Sequence, residues 1–135
     1  VELIKKDYKK EAKRLTALRD RLYKGLQKNI TDIQLNGHPG QRLPNNLNIS
    51  FKYIEGESLT LNLDLKHICV ATGSACTSGS LEPSHVLSAM GISPELSHGS
   101  IRFSLGRQNT VEEVDYVVQQ TTAIVEKLRR MSPLA

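Results

Sequence analysis

The spacing of apolar residues predicts a long amphipathic helix at each end of the chain. Apolar positions recur at intervals of three and four over about 2–28, which is the period of an α-helix. The same period returns after Thr110, which forms a capping-box pattern with Glu113, and continues to about Arg130. The positions predicted to face inward are Ile4, Tyr8, Leu15, Leu18, Leu22 and Leu26 in the first helix and Val114, Val117, Thr121, Ile124 and Leu128 in the last.

Short strands are predicted between these two helices. Residues 47–53 and 101–105 alternate apolar with polar side chains, which is typical of strands with one buried face. Residues 68–71 form a short apolar run that predicts a buried strand. Leucine also occupies every second position of 59–65, but a leucine-rich and valine-poor segment favours a helix almost as well. The periodicity therefore leaves both structures open for 59–65.

A loop of small residues interrupts the second half of the chain. Residues 72–80 contain only Thr, Gly, Ser, Ala and a single Cys76, and they offer no bulky side chain as an anchor. A helix is predicted to begin near Pro83, which suits a first helical turn, and to end near Met90, with Gly91 as its stop.

The order of these elements predicts an α+β fold. The connections are too short for repeated strand–helix–strand crossovers, so we expect a small, mainly antiparallel or mixed sheet packed with helices. The 135 residues suffice for one domain with its own core. A composition with 39% hydrophobic and 24% charged residues is that of a globular protein rather than a disordered one.

Composition and charge argue against membrane and nucleic-acid functions. No apolar stretch is long enough for a transmembrane helix or a signal peptide. Residues 1–28 carry ten Lys and Arg against four Asp and Glu, whereas the rest of the chain is slightly acidic. A charged surface on the first helix explains this segment without a nucleic-acid partner, and aromatic residues for base stacking are few. We therefore expect neither membrane association nor direct nucleic-acid binding.

The two cysteines lie in different sequence contexts. Cys69 falls in the predicted apolar strand, where a free cysteine acts as a small core residue. Cys76 lies among small residues that leave a thiol unshielded and let the backbone move. Composition alone favours a nucleophile and an incidental loop cysteine about equally for Cys76, although an exposed thiol is otherwise a liability.

Arg102 is the second candidate for chemistry. It is predicted on the polar face of a short strand, between Ile101 and Phe103, where a rigid guanidinium suits bidentate binding of a carboxylate. A surface arginine or a structural ion pair explains the same position. Arg107 is open to the same two interpretations and is the weaker candidate for binding a carboxylate.

A metal site is not expected. The four histidines are scattered, and only His67 and Cys69 share one face of a predicted strand. Two ligands are too few for a closed zinc site. No phosphate-binding loop, dinucleotide fingerprint or nucleophile elbow occurs in the sequence.

Four segments resemble a known enzyme family. Residues 71–87 (ATGSACTSGSLEPSHVL) closely resemble the active-site cysteine loop of NifS/IscS-type cysteine desulfurases, which are pyridoxal-phosphate enzymes of the class V aminotransferase family. Residues 44–51 (PNNLNISF), 55–59 (EGESL) and 98–107 (HGSIRFSLGR) match in the family's order. The resemblance covers nearly the whole chain and favours a helix over 57–65.

The resemblance implies a role for each candidate residue. Family members bind L-cysteine on pyridoxal phosphate and convert it to L-alanine, and the loop cysteine takes the sulfur as a persulfide. By this match Cys76 is the nucleophile and persulfide carrier, and Arg102 binds the substrate carboxylate. Covalent catalysis by a thiolate is consistent with the exposed loop position.

The resemblance also implies that the cofactor domain is missing from this chain. In the family the Schiff-base lysine lies upstream in a large domain, and no lysine here matches its context. We therefore expect residues 1–135 to be the C-terminal small domain of a fold-type I enzyme, inactive on its own. The complete enzyme is expected to be a homodimer, and this fragment a monomer.

Expected partners and location follow from the same resemblance. The sulfur acceptors would be an iron–sulfur scaffold protein and other acceptors, in the cytoplasm, which suits a reactive free thiol. An alternative is a free-standing persulfide carrier or scaffold-docking module without pyridoxal-phosphate chemistry. A related enzyme acting on selenocysteine is a third possibility.

Overall fold

The chain forms a three-stranded antiparallel sheet packed against helices. The computed structural model describes residues 2–73 and 83–132. Along the chain the elements are α1 (Glu2–Asn29), β1 (Ile33–Leu35), β2 (Asn46–Phe51), α2 (Gly56–Asp64), α3 (His85–Ala89), α4 (Pro94–His98), β3 (Ser100–Ser104) and α5 (Val111–Met131). The strand order is β1-β2-β3, so β2 lies at the centre of the sheet.

The strand register gives the sheet one apolar and one polar face. Leu47 pairs with Phe103, and Ile49 pairs with Ile101 on one side and with Leu35 on the other. Because directly paired residues lie on the same side of a sheet, these side chains form a continuous apolar face. The intervening pairs are polar and face away from this core; they are Asn46–Ser104, Asn48–Arg102, Ser50–Ser100 and Gln34–Ser50.

The helices cover the apolar face of the sheet. α1 packs against α5 and β2, and α2 packs against α5 and β3. α1 and α5 approach closely at Gly25, where a Cβ atom would lie 2.7 Å from Cγ2 of Val118. Arg21 and Asp115 join the same helices by an ion pair of 2.7 Å. None of the helices in the described residues is long and apolar enough to cross a membrane.

The helices predicted at the two ends are confirmed. The four leucines of α1 at positions 15, 18, 22 and 26 are buried, whereas Tyr8 is 54% exposed and lies outside the core; the side chain of Ile4 is outside the described part of the chain. In α5 the predicted inward positions are buried or half-buried, and the capping box of Thr110 and Glu113 is present. The α+β fold and the antiparallel sheet are confirmed as well.

Residues 59–65 show why periodicity was ambiguous. Residues 59–64 belong to α2 and Leu65 is its C-cap; Leu59 and Leu63 are fully buried while Leu61 and Leu65 are 66% and 77% exposed. Leucines four apart share a helix face, so half of an alternating pattern also satisfies a helix.

Several local predictions are wrong. Residues 68–71 do not form a strand, since only Ala71 makes a bridge, to Arg102. The strand predicted over 47–53 ends at Phe51, because Tyr53 has a φ of 67° and turns the chain. The helix predicted from Pro83 to Met90 is shorter in the structure, where α3 comprises His85–Ala89. The sequence reading also missed β1 and α4, which have only three and five residues.

Gly99 lies where two backbone segments meet. A Cβ atom there would be 2.3 Å from the carbonyl oxygen of Phe51, and the Gly99 carbonyl accepts a hydrogen bond from the Phe51 N–H at 2.9 Å. We expect Gly99→Ala to lower the free energy of unfolding by about 3 kcal/mol, because backbone must move to admit the methyl group. Gly106→Ala is the matched control, since the nearest atom to its Cβ is 3.8 Å away. Urea denaturation of both variants tests this, and equal midpoints would contradict it.

The Thr110 cap fixes the start of α5. Its Oγ1 accepts from the Glu113 N–H at 3.2 Å, and a Glu113 carboxylate oxygen accepts from the Thr110 N–H at 3.1 Å. We expect Thr110→Ala to cost about 1 kcal/mol of unfolding free energy. Thr122→Ala, in the same helix, should change stability little, because its hydroxyl bonds only the carbonyl of Val118.

The same cap predicts a pH dependence. Hydrogen bonds from the Asn109 side chain and then from the Thr110 backbone hold the pKa of the Glu113 carboxyl below its ordinary value of 4.5. A lowered folded-state pKa stabilises the fold above the unfolded value, and this stabilisation is lost as pH falls through the folded value. Thermal melts of the parent chain and of Glu113→Gln should therefore converge in acid, and a constant gap down to low pH would contradict the cap.

Candidate functional site

Arg102 lies on the polar face of the sheet at the centre of β3. Ile101 and Phe103 on either side are buried, and the Arg102 side chain is exposed on the opposite face. Its backbone is held on both sides, by pairing with Asn48 of β2 and by hydrogen bonds with Ala71 of 2.7 and 3.2 Å. The predicted position on a rigid strand is confirmed, and binding of a carboxylate stays a prediction.

A cavity of about 290 Å³ lies between this polar face and α3. It is lined by Asn36, Gly37, Arg42, Asn46, Asn48, Gly73, Ser84, Val86, Leu87, Met90 and Arg102. Two guanidinium groups and no carboxylate are among these lining residues. The cavity is therefore electropositive and of a size for a small anion.

Arg42 is the less accessible of the two arginines. Its Nη2 donates to the carbonyl of Asn36 at 2.8 Å, and its Nε is buried without a partner in the part of the chain that the structure describes. Burial, followed by repulsion from Arg19, holds the pKa of the Arg42 guanidinium below its ordinary value. Since arginine keeps its proton in proteins, Arg42 adds a second positive charge beside Arg102.

Two asparagines at the floor of the cavity are hydrogen-bonded to each other. Nδ2 of Asn36 donates to Oδ1 of Asn48 at 2.7 Å and to Oγ of Ser50 at 2.8 Å. The Asn36 N–H also donates to the carbonyl of Asn48 at 3.0 Å. Asn36 is 3% exposed and Ser50 is fully buried, and Oδ1 of Asn36 is buried without a partner among the described residues. The three hydrogen bonds hold Asn36 against β2.

Gly73 and Ser84 lie side by side at the edge of the same cavity. A Cβ atom on Gly73 would be 3.0 Å from the Cβ of Ser84, so the two residues lie close together at this point. Residues 74–82, which include Cys76, lie outside the described part of the chain. The role of Cys76 as nucleophile and persulfide carrier therefore stays a prediction, while the residues that flank its segment meet next to Arg102.

The prediction for Cys69 is wrong. Its side chain is exposed rather than part of the core, because residues 68–71 form no strand and, in the described part of the chain, pair with β3 at Ala71 alone. His67 has a φ of 60°, so it and Cys69 do not share the face of a strand. No group of three or more potential metal ligands occurs within residues 2–73 and 83–132.

Arg107 does not join the cavity. Its carbonyl accepts a hydrogen bond from Nη2 of Arg14 at 2.9 Å, and its exposed side chain lies beyond the end of β3. This position agrees with its weaker claim to a role in binding.

Sequence reasoning missed three lining residues. Asn48 was visible only as a polar position in an alternating strand, and Asn36 and Arg42 lie in a turn-rich stretch without periodicity. Asn36 and Arg42 line the same cavity as Arg102 only because the three strands pair. No local sequence pattern therefore predicts them.

Named relatives match nearly the whole chain. "Cysteine desulfurase IscS" of Dictyoglomus turgidum is 53% identical over 133 residues, covering 98% of this chain and 34% of the relative. The protein of the same name from Methanosarcina thermophila is 56% identical over 133 residues, covering 98% of this chain and 33% of that protein. The chain thus spans about a third of the length of these relatives.

A solved structure and a family match agree with these relatives. A structure titled "NIFS-LIKE PROTEIN" has a TM-score of 0.81 and 32% identity, covering 94% of this chain and 31% of that one. Residues 1–117 match the family described as Aminotransferase class-V. This match takes in both strands that build the cavity floor and the whole Cys76 segment. The chain belongs to the class V aminotransferase family.

Proposed function

We propose that this chain is the C-terminal small domain of a cysteine desulfurase, which converts L-cysteine to L-alanine and a cysteine persulfide. The observation that carries the proposal is the electropositive cavity, in which Arg102 and the residues flanking the Cys76 segment meet. The names of the relatives support an enzyme rather than a free-standing persulfide carrier.

Arg102 would bind the α-carboxylate of L-cysteine. Its guanidinium has no hydrogen bond or ion pair with any side chain among the described residues, and its backbone is fixed by two neighbouring segments. A planar guanidinium binds both oxygens of a carboxylate through parallel hydrogen bonds, which fixes the substrate's orientation as well as its position.

Cys76 would accept the sulfur. Its thiolate forms an S–S bond to the substrate sulfur while the substrate C–S bond breaks, and the carbon skeleton leaves as alanine after gaining a proton. Cysteine and a thiol become alanine and a persulfide, so the atoms balance without an external oxidant. A thiolate is the competent nucleophile for this step.

The described residues do not fit the cofactor's own binding site. Class V aminotransferases in general depend on pyridoxal phosphate, which supplies an electron sink when bound. A Schiff-base lysine requires a sheltered amine, whereas every lysine whose side chain the structure describes is exposed; these are Lys9, Lys10, Lys13, Lys24, Lys28, Lys52, Lys66 and Lys127. We propose that an upstream large domain holds the cofactor and that this chain supplies the substrate-binding arginine and the sulfur carrier.

Partners follow from the proposed reaction. A persulfide must pass to a sulfur acceptor, for which we propose an iron–sulfur scaffold protein and other acceptors in the cytoplasm. The complete enzyme is proposed to act as a homodimer.

The proposed nucleophile predicts a sharp difference between the two cysteines. In the full-length enzyme we expect Cys76→Ala to reduce sulfide release from L-cysteine about 1000-fold or more, with the cofactor absorption spectrum unchanged. Cys69→Ala is the matched control and should keep normal turnover, since Cys69 lies outside the cavity. Mass spectrometry should find the extra sulfur on Cys76 alone. Normal turnover by Cys76→Ala would refute the assignment.

The proposed carboxylate contact predicts a change in substrate affinity. We expect Arg102→Ala to raise KM for L-cysteine about 100-fold, because charge-assisted hydrogen bonds are lost. Arg107→Ala removes an equal charge outside the cavity and should leave KM nearly unchanged. Steady-state kinetics of both variants decides the matter, and equal KM values would exclude Arg102 as the carboxylate ligand.

A further inference from the structure

Asn48 and Arg102 form one side-by-side pair on the polar face of the sheet. They are directly paired residues of adjacent antiparallel strands, and both line the 290 Å³ cavity. Cβ atoms of such a pair are about 4.5–5.5 Å apart. A single carboxylate bound to the guanidinium is therefore within reach of the asparagine side chain.

The hydrogen bonds around Asn48 occupy one end of its amide. Its Oδ1 accepts from Nδ2 of the buried Asn36 at 2.7 Å. Asn36 is held in turn by Ser50 and by its own backbone bond to Asn48. The Nδ2 group of Asn48 has no acceptor among the described residues. The half-buried amide therefore offers a neutral donor at the cavity floor.

We propose that Asn48 is a second binding residue for the α-carboxylate of the amino-acid substrate, and that Asn36 is the positioning residue that orients it. This inference rests on the proposed desulfurase function. Nδ2 of Asn48 donates to one carboxylate oxygen, which retains a free lone pair beside the bonds from Arg102. The neutral amide adds a hydrogen bond without adding charge to a cavity that already holds two arginines.

The pair has a consequence for substrate discrimination. Both donors address the carboxylate and neither addresses the amine or the sulfur. An analogue that keeps the amine and the thiol but lacks the carboxylate, such as cysteamine, gains nothing from Asn48. Loss of Asn48 should therefore lower the affinity for a ligand with a carboxylate and leave the affinity for cysteamine unchanged.

The test uses the full-length enzyme loaded with pyridoxal phosphate. We expect Asn48→Ala to raise KM for L-cysteine about 10- to 100-fold, with kcat little changed. Calorimetric affinity for the product L-alanine should fall by a similar factor, whereas affinity for cysteamine should not change. Asn48→Asp, which has the same shape, should lower the affinity for L-alanine further. Its carboxylate repels that of the ligand and pairs with Arg102. Gln34→Ala is the matched control on the same sheet face outside the cavity and should behave like the parent enzyme.

A double-mutant cycle tests the role of Asn36. Asn36→Ala should raise KM for L-cysteine by a smaller factor, because the Asn48 amide is then free to rotate. The double variant should be no worse than Asn48→Ala alone, since Asn36 acts only through Asn48. Additive effects would show that Asn36 stabilises the fold generally and would overturn its positioning role.

The outcomes separate this inference from the proposed function. If Arg102→Ala raises KM while Asn48→Ala binds L-alanine normally, the asparagine assignment is wrong and the desulfurase proposal stands. If neither Cys76→Ala nor Arg102→Ala affects the reaction, the proposed function itself fails. Thermal melts confirm that each variant is folded; should Asn48→Ala be unfolded, Asn48→Ser gives the same comparison, and parent-like affinity for L-alanine in that variant overturns the inference.

Discussion

The in-register pairing of β2 with β3 is the constraint on which the rest of the molecule depends. Because strand side chains alternate with a period of two, one register places Ile49 and Ile101 under the helices and Asn48 and Arg102 on the opposite face. A shift of β3 by one residue would bury Arg102 and expose Ile101. The apolar core therefore fixes the position of the polar site.

The close approach of Gly99 to Phe51 stabilises this register at the start of β3. The hydrogen bond between the two residues and the absence of a side chain at Gly99 bring the chain directly from α4 into β3. At the other end of β3, residues 105–110 lead to α5, and Asn109 and the capping box of Thr110 fix the start of that helix. Stabilising both ends of a five-residue strand holds Arg102 more firmly than the strand's own length would allow.

The parts of the fold that the sequence predicted are those governed by local rules. The capping box requires only Thr110 and Glu113, and the polar position of Arg102 requires only the alternation around it. The assignment of Cys69 to the core failed because an apolar run shows hydrophobicity but not whether a partner strand exists. Asn36 was invisible for a related reason, since its meaning depends on Asn48, which only the sheet brings next to it. The residue pattern singled out Cys76 and Arg102 and the resemblance implied a role for each, but the cavity beside Arg102 required the structure.

The proposed reaction makes opposite demands on its two principal residues. A group that orients a carboxylate must be rigid, and Arg102 has strand pairing on both sides to make it so. A sulfur carrier must reach both a substrate and an acceptor, and Cys76 lies in a segment composed mostly of small residues. Gly73 and Ser84 reconcile these demands, because they lie close together and bring the two ends of the intervening segment to the cavity edge. Closing a short segment at both ends costs little entropy compared with bringing a distant thiol to the same place. The proximity of Gly73 to Ser84 therefore places both ends of the Cys76 segment next to Arg102.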